Sequence, residues 1–216
     1  MNVSSISNKR NGLHKTKVKG GLEEYQFSLP LIGDHQICNS LNAIGIAEVL
    51  MEQGYPVSRT SIEMGLSNVS WPGRMEILKS DGPIVLVDGA HNQNSVMVAA
   101  QAILDNFEYS KLILVFGATT GHDIPSMLQE LLRLQPTTIP VKTRHPKSVS
   151  CFDIYSDGKT VGLNLIPGNY TVIEGLETAI ANADSSDIIV AMGSLSVVAE
   201  SIEYMRQMEP EIYAEF

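Results

Sequence analysis

The stretch Ile84-Val85-Leu86-Val87-Asp88-Gly89-Ala90-His91-Asn92, residues 84–92, decides the fold. Four consecutive apolar residues leave no side for water, as expected of a strand buried on both faces. The run stops at Asp88-Gly89, where the chain must turn. Beyond it, Val96, Ala99, Ala100, Ile103 and Leu104 recur at helical spacing and predict a helix over 95–107. The same strand, turn and helix return downstream. Leu112-Ile113-Leu114-Val115-Phe116 ends at Gly117 and precedes a helix over 124–134. A weaker strand spans 138–142, another candidate spans 170–173, and a short helix follows over 176–183. The run Ile188-Ile189-Val190-Ala191-Met192 ends at Gly193-Ser194 and leads into a last helix over 195–208. Apolar strands alternating with helices predict an α/β fold, its sheet mostly parallel and covered on both faces. Residues 148–165 fit less well, because Gly158 and Gly162 argue against a helix there.

Upstream the texture differs. Tyr25-Gln26-Phe27-Ser28-Leu29 alternates like a strand and stops at Pro30. Ile37, Leu41, Ile44, Ala47 and Leu50 mark a helix over 35–53, which Gly54 and Pro56 close. A second short helix fits 58–66, and Ser67-Asn68-Val69-Ser70 has linker character. The expected division is therefore 1–68 and 69–216.

The 216 residues carry a formal charge of −9, which speaks against a partner bound through a phosphate backbone, so no nucleic acid is expected. A nucleotide needs only a few local donors and stays compatible with an acidic total. Cys38 and Cys151 are not spaced as metal ligands, and a reduced, cytoplasmic setting suits two isolated thiols. No run approaches the length of a membrane span. His91, His122, Asp88 and Asp123 lack H-x-x-x-H spacing, so no metal site is expected among them.

Ligands of such sheets bind at the carboxyl ends of the strands. Three strands end in polar or glycine-rich turns: Asp88 to Asn92, Gly117 to Asp123, and Gly193-Ser194. Helix capping explains these turns as well as ligand binding does. The chain has no G-x-x-x-x-G-K-[ST] phosphate loop and no G-x-G-x-x-G. The second absence counts against a dinucleotide-dependent dehydrogenase.

Four segments in order add a resemblance. Gly33-Asp34-His35-Gln36-Ile37-Cys38-Asn39 with Ala43, Trp71-Pro72-Gly73-Arg74-Met75-Glu76, Asp88-Gly89-Ala90-His91-Asn92, and Gly193-Ser194-Leu195 resemble the motifs of folylpolyglutamate and dihydrofolate synthases, a branch of the Mur ligase family. The likeness runs from about Leu29 onward. It implies a C-terminal Rossmann-like domain preceded by a remnant of a central ATP-binding domain. It implies an ATP-dependent ligase that joins L-glutamate to folate or dihydropteroate through an acyl phosphate, with Mg2+ held upstream of this chain. By the same resemblance Asn39 contacts adenine, Asp88 the ribose, and Arg74 and His91 the phosphates. Asn92 follows His91 in the nucleotide site, and Ser194 lies near the incoming glutamate. Arg74 and His91 would carry the catalytic charge stabilisation.

The chain departs from the family pattern in three places. Residues 1–30 resemble the tail end of the family's central domain, cut from its sheet; such strands pair with something or fray, so this segment is expected to be mobile or docked on a neighbour. The phosphate loop is absent, so the chain alone is expected to be inactive and to need the N-terminal and central region as its partner. His122 stands where the family commonly has lysine, and histidine is no permanent cation. Another Mur-type amide ligase, or a non-catalytic nucleotide-binding domain, remains the alternative.

Overall fold

The computed structural model describes residues 2–7 and 14–213. The chain divides between Pro72 and Gly73 into two compact units. In the first unit β1 (Asn2–Ser7), β2 (His14–Lys19) and β3 (Glu24–Leu29) form an antiparallel sheet in that order. Val18, Tyr25, Phe27 and Leu29 are buried, while Lys15, Lys17, Glu24 and Gln26 face out. That alternation is the signature of a sheet wet on one side. Ile37 and Ile44 of α1 (Asp34–Glu52) and Ile62 of α2 (Arg59–Ser67) complete this core.

The strands expected to be orphaned pair with one another instead. Of the segment expected to be mobile or docked, Met1 and residues 8–13 lie outside the described residues. The outer edge of β3 is covered too. The Gln26 N–H donates to Glu63 Oε1 at 2.7 Å and the Ser28 N–H to Ser67 Oγ at 3.3 Å, so α2 satisfies amides that an edge strand would leave open. The turn between β2 and β3 rests on Glu48, 5 % exposed. Its carboxylate accepts from the N–H groups of Gly21 and Leu22, both at 2.9 Å, and from the Tyr25 hydroxyl at 3.1 Å.

The second unit contains β4 (Glu76–Lys79), β5 (Ile84–Asp88), α3 (Gln93–Asn106), β6 (Leu112–Phe116) and α4 (Ile124–Leu131), whose last turn tightens to a 3-10 helix over Leu132–Leu134. There follow β7 (Thr137–Lys142), α5 (Cys151–Val161), β8 (Asn164–Leu165), β9 (Tyr170–Thr171), α6 (Val172–Ala181), β10 (Ile188–Met192) and α7 (Leu195–Arg206). The sheet order is β4-β5-β10-β6-β7-β8, with β9 also on β7. All pairings are parallel except β4 with β5. This is the expected α/β architecture, a mostly parallel sheet with helices on both faces. Val85, Val87, Ile113, Val115, Ile189 and Ala191 form one core with Val172, Leu176, Val197 and Val198 of α6 and α7. The intervening Leu86, Leu114, Phe116, Val190 and Met192 are buried as well and, by the two-residue period, face the α3–α5 side.

Two local expectations are corrected. Residues 151–161 are helical despite Gly158, which sits where a Cβ would come within 2.9 Å of Leu165 Cδ2. The missing side chain is thus a packing requirement of α5 against β8. Gly162, at φ 91°, ends that helix in the left-handed conformation that glycine adopts most readily. The strand expected over 170–173 lasts only two residues. Thr171 caps α6: its hydroxyl accepts from Glu174 N–H, and the Glu174 carboxylate accepts Thr171 N–H at 2.8 Å. This reciprocal cap outweighs the β-propensity of Val172 and Ile173.

Candidate functional site

Within the second unit, Asp88 closes β5 and is 5 % exposed. A buried carboxylate must collect donors. Its Oδ1 accepts the Ala90 N–H and its Oδ2 the Met75 N–H, each at 2.9 Å. One side chain thereby fixes the turn after β5 and reaches 13 residues back to the loop before β4. The Gly89 N–H donates to the Gly73 carbonyl at 2.8 Å, a second tie between the same two loops. Met75 is held at φ 44°, a region methionine rarely adopts, with its side chain buried. Glu76 accepts the Gly73 N–H at 2.7 Å and is ion-paired with Arg206.

Arg74 stands on this fixed loop, half-buried. Glu76, the nearest acid in sequence, is engaged elsewhere. Among the described residues the Arg74 guanidinium has no ion-pair partner. A loop fixed by buried hydrogen bonds that presents an uncommitted cation is an anion-binding arrangement.

His91 lies on the next turn. Its Nδ1 is 2.8 Å from the Gly89 carbonyl, which can only accept, so Nδ1 carries the proton and Nε2 remains for a ligand. Its ring meets that of His122 edge-on, centroids 5.5 Å apart. Asn92 is the N-cap of α3, with Oδ1 accepting the Ser95 N–H at 2.9 Å while Ser95 Oγ accepts the Asn92 N–H. Ser194 caps α7 and is 2 % exposed; its Oγ accepts the Val197 N–H at 3.2 Å and lies 3.0 Å from Ser196 Oγ. Gly193, at φ 107°, precedes it. A Cβ there would stand 2.7 Å from the Gly117 carbonyl oxygen, so only glycine lets the two strand ends meet. Asn39 belongs to the first unit, where it is exposed on α1 and donates to Gln36 Oε1 at 3.0 Å.

His91, His122 and Ser194 share a cavity of about 330 Å³ with His145, Lys147 and Tyr213. Four strand ends converge on it: the turns after β5, β6 and β7 supply the histidines and the turn after β10 supplies Ser194. His145 and Lys147 went unnoticed in the sequence. The rule that ligands bind at carboxyl ends of strands applies to β7 as well, and its turn over 143–148 was the available signal. Among the described residues no group of three His, Cys, Asp or Glu side chains could hold a metal ion, and no helix is long and apolar enough to cross a membrane.

The glutamate ligase domain of the Mur ligases matches residues 73–195. A probable bifunctional folylpolyglutamate synthase/dihydropteroate synthase of Halobacterium salinarum is 32% identical over 179 residues, covering 80% of this chain and 20% of that protein. The Mycobacterium tuberculosis folylpolyglutamate synthase complexed with ADP superposes with a TM-score of 0.83 at 19% identity, over 97% of this chain and 48% of that one. A bifunctional folylpolyglutamate synthase/dihydrofolate synthase with Mn, AMPPNP and L-glutamate bound superposes with a TM-score of 0.72 at 20% identity, over 93% of this chain and 45% of that one. The chain thus spans less than half the length of these relatives. With more than half of its residues inside the matched domain, the chain belongs to the Mur ligase family.

Proposed function

We propose that this chain is the C-terminal part of a folate-branch ligase, which adds L-glutamate to folate or dihydropteroate when joined to an upstream nucleotide-binding region. The observation that carries this reading is the Arg74 loop: a guanidinium without an ion-pair partner among the described residues, on a loop whose Met75 amide is held by Asp88. The residues present suit a nucleoside triphosphate. Arg74 offers a planar fork to phosphate oxygens, and His91 Nε2 offers a further polar contact. ATP supplies a phosphoryl group that activates the folate carboxylate. Arg74 stabilises the charge that builds on the phosphoryl oxygens, and the cavity orients the amino-acid substrate. Magnesium ligands belong to the upstream region.

Asp88 acts through main chain. Each of its oxygens already accepts an amide hydrogen bond, and a ribose contact would come in addition, through a remaining lone pair. Asn92 and Ser194 orient the helices α3 and α7 by capping them. The adenine contact assigned to Asn39 rests on the resemblance of its motif.

The test is L-glutamate- and folate-dependent release of ADP from Mg-ATP. The chain alone is expected to be inactive, and the chain extended upstream through a phosphate loop to be active. Turnover by the isolated chain would overturn the division of labour. Inactivity of both would favour another Mur-type amide ligase or a binding module.

A further inference from the structure

The C-terminal segment beyond α7 is pinned across one side of the cavity. The Met208 N–H donates to the Glu203 carbonyl at 2.9 Å and ends the helix. The Glu211 N–H then donates to Glu203 Oε1 at 2.8 Å. The other Glu203 oxygen is paired with Arg144, whose own N–H donates to buried Glu200 at 2.8 Å. The Tyr213 ring packs over this network, with the Arg144 guanidinium 5.8 Å from its centroid and the His145 ring edge-on at 5.3 Å. Helix α7, the turn after β7 and the tail thereby form one strap. Glu211 and Tyr213 line the cavity that holds His91, His122 and Lys147.

The Tyr213 hydroxyl is buried and, among the described residues, has no hydrogen-bond partner. A buried, unpartnered hydroxyl is costly, and such groups usually find a partner in a ligand or in water. Burial also pushes the phenol above its ordinary value, so at neutral pH it remains a donor. The cavity gathers imidazoles, an ammonium group and hydroxyls, which suits carboxylates. The Glu211 carboxylate at its rim suits an ammonium group.

We infer that the C-terminal strap completes the amino-acid subsite, with the Tyr213 hydroxyl donating to a ligand carboxylate and Glu211 facing the ligand's ammonium group. This rests on the proposed reading of the cavity as the site of an amino-acid substrate. It adds two residues that no motif marks, and it makes the tail a determinant of which acid is accepted.

The experiment uses the whole chain. L-glutamate and, separately, inorganic phosphate are titrated while the histidine ring resonances are followed by NMR. Wild type is compared with Tyr213→Phe, Glu211→Gln and a chain ending at Gln207. Tyr213→Phe keeps the ring against Arg144 and His145 and removes only the hydroxyl. The expected result is that L-glutamate moves the rings of His91, His122 and His145 in wild type. Affinity should fall about tenfold in Tyr213→Phe, the scale of one hydrogen bond to a charged group, and further in the shortened chain. Glu211→Gln should weaken L-glutamate and leave phosphate unchanged. Equal affinity of wild type and Tyr213→Phe overturns the inference and leaves the cavity reading standing. Tighter binding by the shortened chain overturns it in favour of a tail that plugs the cavity. Phosphate binding without glutamate binding, or no response to either, overturns both the inference and the amino-acid reading.

Discussion

The β2–β3 turn of the first unit and the Arg74 loop of the second are built on the same device. In each, one buried carboxylate gathers main-chain N–H groups from a distant segment: Glu48 holds Gly21 and Leu22, and Asp88 holds Met75 along with Ala90 of its own turn. What differs is what each loop displays. The Glu48 turn displays Leu22, an exposed apolar side chain. The Asp88 loop displays Arg74, a cation without a carboxylate partner among the described residues. A buried acid is therefore no sign of chemistry by itself. It marks rigidity, and the two loops differ in the side chain that each rigid frame displays.

Removing either carboxylate should separate the two roles. The largest effect is expected from Asp88→Ala, which leaves the Met75 and Ala90 amides buried without acceptors. The second unit should lose about 3 kcal/mol of stability, read by thermal unfolding, and amide exchange should speed up at Met75 and Ala90. Glu48→Gln should cost the first unit about 1.5 kcal/mol at neutral pH, because a carboxamide replaces a charged acceptor. Desolvation alone would raise the Glu48 pKa. The amide donors Leu22 and Gly21, with the Tyr25 hydroxyl, outweigh it and hold the group below its ordinary 4.5. The folded value is the depressed one, so the stabilisation is fully present above 4.5 and disappears as pH falls through the folded value. The wild type and Glu48→Gln unfolding curves should therefore converge in acid.

Smaller effects sharpen the contrast. Asn92→Ala should cost about 1 kcal/mol through the lost α3 cap, and Asn92→Asp should restore it. A nucleotide contact through the carboxamide NH2 would show as a further loss of ATP affinity that Asn92→Asp does not restore. Arg74→Ala should change unfolding by less than about 0.5 kcal/mol, since its guanidinium has no ion-pair partner among the described residues. In the upstream-extended ligase it should lower kcat/KM by about a hundredfold or more.

Strands β5, β6 and β10 were legible because each is a short apolar run ending at Asp or Gly, and those three sufficed for an α/β sheet; β4 and β8 carry no such run and went unread. Arg74, Asp88 and His91 were legible as members of motifs. Their division of labour was not. Asp88 meets Met75 only because β4 pairs antiparallel with β5, and no local pattern announces that pairing. His145 and Lys147 join His91 only once β10 and β6 separate β5 from β7 in the sheet. Helix α5 was missed because a glycine count ignores why a glycine is there: Gly158 makes room for Leu165. Tyr213 carries no periodic or motif signal at all.

The most direct test compares ATP with its 2′-deoxy and 3′-deoxy analogues in the upstream-extended ligase, for wild type and for Asp88→Asn. If Asp88 works by holding the Arg74 loop, the loss in kcat/KM caused by Asp88→Asn is the same for all three nucleotides. If the loss disappears with either deoxy analogue, Asp88 is a ribose ligand and the loop-holding account is contradicted.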